Sequence, residues 1–152
     1  MRMTEPETGH ELVITRVFDA PKDRVYRAWT DPERAARWWG PRGCTAPSEG
    51  ITMDVRPGGR WRIAMYEQDG TEHLMRGVYH RVEEPELLIF SFAWEDTDGT
   101  VGELTMVTIQ LLERDGKTEM VFRQTGLTSR RERDSHHDGW SSAFECLDEF
   151  AG

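Results

Sequence analysis

The last segment of the chain, Ser129 to Gly152, reads SRRERDSHHDGWSSAFECLDEFAG. Within it Trp140, Ala143, Phe144, Leu147 and Ala151 stand at i, i+3, i+4, i+7 and i+11, the spacing that gathers apolar side chains on one stripe of a helix. Ser129 followed three residues later by Glu132 matches a capping box, in which hydroxyl and carboxylate each satisfy a backbone donor left open at a helix start. One long amphipathic C-terminal helix is therefore predicted. A helix with a single apolar stripe has to cover something. The alternating apolar segments between Ile51 and Thr125 supply a sheet to receive it.

Upstream, Leu12, Ile14 and Val17-Phe18 define a first strand that ends at Ala20-Pro21. Pro21 opens a helix carrying Val25, Ala28 and Trp29, because proline's missing donor is tolerated in a first helical turn. Asp31 as N-cap and Pro32 behind it start a second short helix with Ala35, Trp38 and Trp39, stopped at Gly40-Pro41. From Ile51 the pattern changes to period two. Strands are predicted around Ile51–Val55, Trp61–Met65, Glu72–Val82, Leu87–Trp94, Leu104–Glu113 and Thr118–Gly126, separated by turn residues such as Asp69-Gly70, Asp98-Gly99 and Asp115-Gly116. The result is an α+β domain: seven strands joined by short turns into an antiparallel sheet, two short helices between strands 1 and 2, and a long final helix.

The totals bound the function. The 152 residues suit one domain, and a chain of that size buries roughly 70% of its unfolded surface. Residues 1–10 are polar and read as a flexible N-terminus, and 11–152 as the single folded domain. No apolar run approaches a membrane span, so no membrane insertion is expected. The net charge of −9 repels a phosphate backbone and argues against nucleic acid. The basic run Arg130–Arg133 is interrupted by Glu132 and reads as a solvated helix face. Cys44 and Cys146 are far apart with no CxxC partner, and the opening residues lack the apolar core of a signal peptide; cytoplasmic residence with free thiols is the expectation. Self-association into a homodimer is left open.

Three stretches, DAPKDRVYRAWTDPERAARWWGP at 19–41, RPGGRWRIAM at 56–65 and HHDGW at 136–140, together with this order of elements, resemble the START-like (SRPBCC) superfamily. Within it the chain is similar to bacterial homologues of the activator of the heat-shock-protein-90 ATPase. The resemblance implies a helix-grip fold, a seven-stranded antiparallel sheet wrapped round the C-terminal helix with a hydrophobic cavity between them. It does not by itself assign an activity.

Six tryptophans in one domain are a heavy aromatic load, suited to holding a planar or lipid-like molecule. The fold that the resemblance implies would place Trp38, Trp39, Trp61, Trp94 and Trp140 around the cavity, with Met65, Met75, Phe92, Phe122 and Phe144 adding an adaptable wall; plain core packing is the competing role for each. Gly139, in mid-helix, costs about 1 kcal/mol against alanine, so a packing or access reason is expected. His136 and His137 stand one turn before Trp140 and are both candidate ligand contacts at the cavity mouth, with His137 also the candidate acid or base. Adjacent helical histidines diverge, so no metal site is expected. Common catalytic, nucleotide and dinucleotide motifs are absent, so no cofactor is expected. Cys44 as a reactive thiol and Asp54 as a lone acid are weaker candidates. These readings predict a protein that binds a small hydrophobic molecule; the alternatives are a cyclase or dehydratase of polyketide-like substrates and a modulator of a chaperone ATPase.

Overall fold

The computed structural model describes residues 10–96 and 98–151. Its elements are β1 (His10–Phe18), α1 (Lys22–Thr30), α2 (Pro32–Ala35), β2 (Ile51–Met53), β3 (Arg60–Tyr66), β4 (Glu72–Glu83), β5 (Leu87–Glu95), β6 (Thr105–Arg114), β7 (Lys117–Leu127) and α3 (Arg130–Ala151). The strands form one seven-stranded sheet in the order β1-β7-β6-β5-β4-β3-β2, each neighbour antiparallel to the next. This is the helix-grip architecture. Of the expected flexible N-terminus, residues 1–9 lie outside the described residues, and His10 already belongs to β1.

Period-two alternation sorts the strand residues between faces. In β7, Thr118, Met120, Phe122 and Gln124 are buried, and in β6, Thr105, Val107, Ile109 and Leu111. The same rule corrects the reading of β1: Leu12 and Phe18 are buried, whereas Val17 and Val13 face outward at 49% and 42% exposure. Arg16, at an inward position, reaches Asp148 of α3 at 3.3 Å. Register shifts between Tyr79 and Arg81, where β4 pairs with β5, a bulge of the kind that bends a strand.

Received on the inner face, α3 buries His136, Trp140, Ala143, Phe144, Leu147 and Ala151 against β1, β7 and α1. Its N-terminus departs from the expected capping box. Ser129 Oγ accepts from Glu132 N at 3.1 Å, but the Glu132 carboxylate reaches back to the N–H and hydroxyl of Thr128, both at 2.8 Å. The reciprocal half of the box is thus displaced by one residue. At the other predicted start, Asp31 accepts from Glu33 N at 3.0 Å as expected of an N-cap. The helix it opens stops after four residues, and Trp38 and Trp39 follow on looser turns bonded to Ala35 O.

These turns deliver the tryptophans to one cluster. Trp29 of α1, 2% exposed, packs edge-on against Trp38 and Trp39 with ring centroids 4.7 and 5.6 Å away, and lies stacked on Phe122 at 6.1 Å. Pairs at such separations contribute about 0.5–1.5 kcal/mol each beyond their area burial. Gly77 shows how closely the layers fit. A Cβ there would lie 1.8 Å from Ser91 O and 2.5 Å from the Trp61 indole nitrogen, so only glycine lets that indole donate to Ser91 O at 3.1 Å. Among the described residues, no helix is long and apolar enough to cross a membrane.

Candidate functional site

Between the N-terminal half of α3 and strands β3 to β5 lies an open cleft of about 610 Å³. Its inner walls are apolar: Trp39 from the turn after α2, Met65 and Met75 from β3 and β4, Phe92 from β5, and Trp140 and Ala143 from α3. Trp94, half-buried, and His73 stand towards the rim, with Thr128, Ser129, Arg131, Glu132 and Ser135 from the start of α3. Arg131, Ser135, Gly139 and Ala143 line the cleft at four-residue steps. At 1.5 Å per residue this stripe is a trough roughly 18 Å long. Gly139 carries the clearest sign that the space is open, since a Cβ built there meets nothing within 4 Å.

The cleft wall is held by a buried polar network. Trp94 Nε1 donates to His136 Nε2 at 3.1 Å, and His136 Nδ1 lies 3.2 Å from Gln124 Oε1. That oxygen also accepts from Trp140 Nε1 at 2.9 Å, while Gln124 Nε2 donates to Thr105 Oγ1 at 2.9 Å. Thr105 in turn donates to Phe92 O at 3.0 Å. An indole can only donate, so His136 Nε2 must accept and the proton sits on Nδ1. The network therefore requires neutral His136. Burial pushes its pKa below the usual histidine value, against an opposing influence of Glu132.

A depressed folded-state pKa means that the unfolded chain binds the proton more readily. Stability is full above about pH 6.5, the unfolded value, and is lost as pH falls from there through the folded pKa. The melting temperature is expected to drop between neutral pH and about pH 5 more steeply in wild type than in His136→Gln, which has no ring to protonate. Parallel pH profiles would show that His136 titrates alike in both states.

Of the residues expected at the site, Trp39, Met65, Met75, Phe92, Trp94, His136 and Trp140 line this cleft. Trp38, Trp61, Phe122 and Phe144 lie behind it in the core; the Trp38 indole donates to Ala28 O at 2.9 Å, and Phe122 and Phe144 have no exposure. His137 is not among the lining residues; its side chain is 40% exposed and stands 3.9 Å from Asp138. Adjacent helical positions point about 100° apart, so placing His136 on the Trp140 stripe turns His137 away from it. Asp54 is likewise outside, paired with Arg56 at 2.9 Å. The Cys44 thiol pKa is raised by burial and by Glu67, the opposite of what a reactive thiol needs. Among the described residues no three His, Cys, Asp or Glu side chains form a group that could hold a metal ion.

Gln124, Thr105 and the polar rim were not anticipated. A sequence signal exists for Gln124: it occupies the fourth inward position of β7, after Thr118, Met120 and Phe122, where a polar side chain demands buried partners. Gly139 yields a stability test. Gly139→Ala is expected to stabilise the domain by up to about 1 kcal/mol, since helix propensity improves and nothing blocks the methyl. That corresponds to a rise of about 2–4 °C in melting temperature; a fall would mean that the helix needs glycine at this point.

A family model described as Activator of Hsp90 ATPase homolog 1-like protein matches residues 19–152. Among solved structures, the AHSA1 protein from Silicibacter pomeroyi superposes with a TM-score of 0.84 at 23% identity, over 92% of this chain and 96% of that one. A protein from Arthrobacter aurescens superposes with a TM-score of 0.83 at 26% identity, over 93% and 85% of the two chains. For a protein from Mycobacterium smegmatis the TM-score is 0.79 at 27% identity, over 93% and 90%. No curated protein matches the chain.

Proposed function

We propose, for a chain that belongs to the family of Activator of Hsp90 ATPase homolog 1-like proteins, that the cleft beside α3 holds a small ligand with a largely apolar or aromatic body. The observation that supports this reading is the open space over Gly139, in a cleft walled by Trp39, Met65, Met75, Phe92 and Trp140. Aromatic faces and thioethers suit a planar or flexible apolar partner. A ligand losing roughly 300 Å² of apolar surface gains about 7.5 kcal/mol before association costs, which makes low-micromolar binding the upper limit that apolar burial alone supplies. His136 reaches the cleft with both ring nitrogens engaged, which favours holding a ligand over proton transfer in a cyclase or dehydratase. Two thiols without a disulfide suit the cytoplasm.

Native mass spectrometry of the purified protein, followed by thermal-shift measurements with fatty acids, aromatic polyketides and flavonoids, tests the reading. A compound at a hundredfold excess over its Kd is expected to stabilise the fold by about 2.7 kcal/mol, a shift of about 5–10 °C. No co-purifying mass and no shift with any of these classes would refute it.

A further inference from the structure

Resting on the reading of the cleft as a binding site, we propose that its ligand is an amphipathic anion: an apolar body lying along the α3 trough and a carboxylate at its mouth, paired with Arg131. Four residues lining the cleft carry titratable or charged groups, namely His73, Arg131, Glu132 and His136, and three of them are already engaged. His73 Nε2 lies 2.5 Å from the Glu67 carboxylate. Glu132 accepts from the backbone and hydroxyl of Thr128. His136 is fixed in its neutral form between Trp94 and Gln124. The Arg131 side chain, in contrast, has no hydrogen-bond or ion-pair partner among the described residues.

This sets Arg131 apart from most arginines of the chain. Arg16, Arg42, Arg56, Arg62, Arg114 and Arg123 are each paired with a carboxylate. In a chain with 28 acidic and 19 basic residues, a guanidinium without a carboxylate at the lip of an apolar cleft is the group of that site best able to receive one, in the two-pronged geometry that guanidinium and carboxylate share. The position fits an elongated molecule. Arg131 begins the stripe that continues through Ser135 and Gly139 to Ala143, so a head at Arg131 leaves roughly 18 Å of trough for the apolar body. The net charge of −9 opposes anions at long range, so a preference for a carboxylate over a matched neutral molecule has to come from a local cation.

Calorimetric titration of the full chain with decanoate and with decanol, which share an apolar chain and differ in head group, tests this. Decanoate is expected to bind about fivefold more tightly than decanol, the scale of a partly exposed ion pair with charge-assisted hydrogen bonds. Arg131→Gln should bring the ratio close to one, Arg131→Lys should keep part of it because the charge stays while the two-pronged geometry is lost, and the exposed Arg130→Gln, whose side chain does not line the cleft, should keep all of it. Equal affinities in wild type would overturn the anion assignment while leaving the cleft as a binding site. An undiminished ratio in Arg131→Gln would overturn the role of Arg131. Binding of neither molecule would overturn this proposal, and the failure of other apolar classes as well would remove the reading on which it rests.

Discussion

Gly139→Trp is expected to abolish uptake of apolar ligands by the cleft, a loss on the order of 100-fold or more, while the melting temperature stays at or above that of wild type. The two halves of this result have separate causes. A Cβ at residue 139 meets nothing within 4 Å, so the side chain grows into the cleft rather than into protein, and an indole takes up space in the cleft that Trp140, Met65 and Met75 line. Tryptophan is also a better helix former than glycine by about 0.5 kcal/mol, so the backbone gains while the cavity closes. The check is a binding isotherm for any compound that stabilises wild type, alongside thermal unfolding of both proteins. Unimpaired binding in a folded Gly139→Trp would place the ligand somewhere other than this cleft. Loss of binding with loss of fold would contradict the open space itself.

Gln124→Leu is expected to lower stability by about 3–5 kcal/mol, or about 10 °C in melting temperature. Leucine fills a similar volume, so the cost is not a cavity. It comes from donors left without an acceptor: the Trp140 indole and His136 Nδ1 both point at Gln124 Oε1, and each buried orphan costs about 1–3 kcal/mol. His136 cannot escape by moving its proton, because Trp94 occupies Nε2 as a donor. A double-mutant cycle makes the argument specific. Combining Gln124→Leu with His136→Leu removes one orphan together with its acceptor, so the double variant should lose less than the sum of the single ones by about 1 kcal/mol. Chemical denaturation of the four proteins measures this; strict additivity would mean that the two side chains do not interact.

Much of this molecule could be read from local pattern. Strand positions follow from period-two alternation, and α3 from the 3.6-residue stripe that ends at Ala151, because both periods are consequences of backbone geometry acting within a few residues. Asp31 and Pro32 marked a helix start for the same local reason. The same periodicities reach further: the Trp140 stripe extended back four residues meets His136 and not His137, and the inward parity of β7 runs on to Gln124.

What the residues determined alone is therefore the set of elements, the face each one buries and the single helix the sheet must cover. Tertiary structure decided which aromatic groups border open space and which are enclosed. Trp38 and Trp39 are neighbours in sequence with the same chemistry, yet one donates to Ala28 O in the core and the other lines the cleft. That difference depends on how the turns after α2 meet β3, β4 and α3, contacts between segments far apart in the chain. The same holds for Gly139, whose surroundings are set by strands more than forty residues earlier, and for Arg131, whose side chain is paired with no acidic side chain among the described residues. Local periodicity says which way a side chain points; only the assembled sheet and helix determine whether it meets another side chain or an opening.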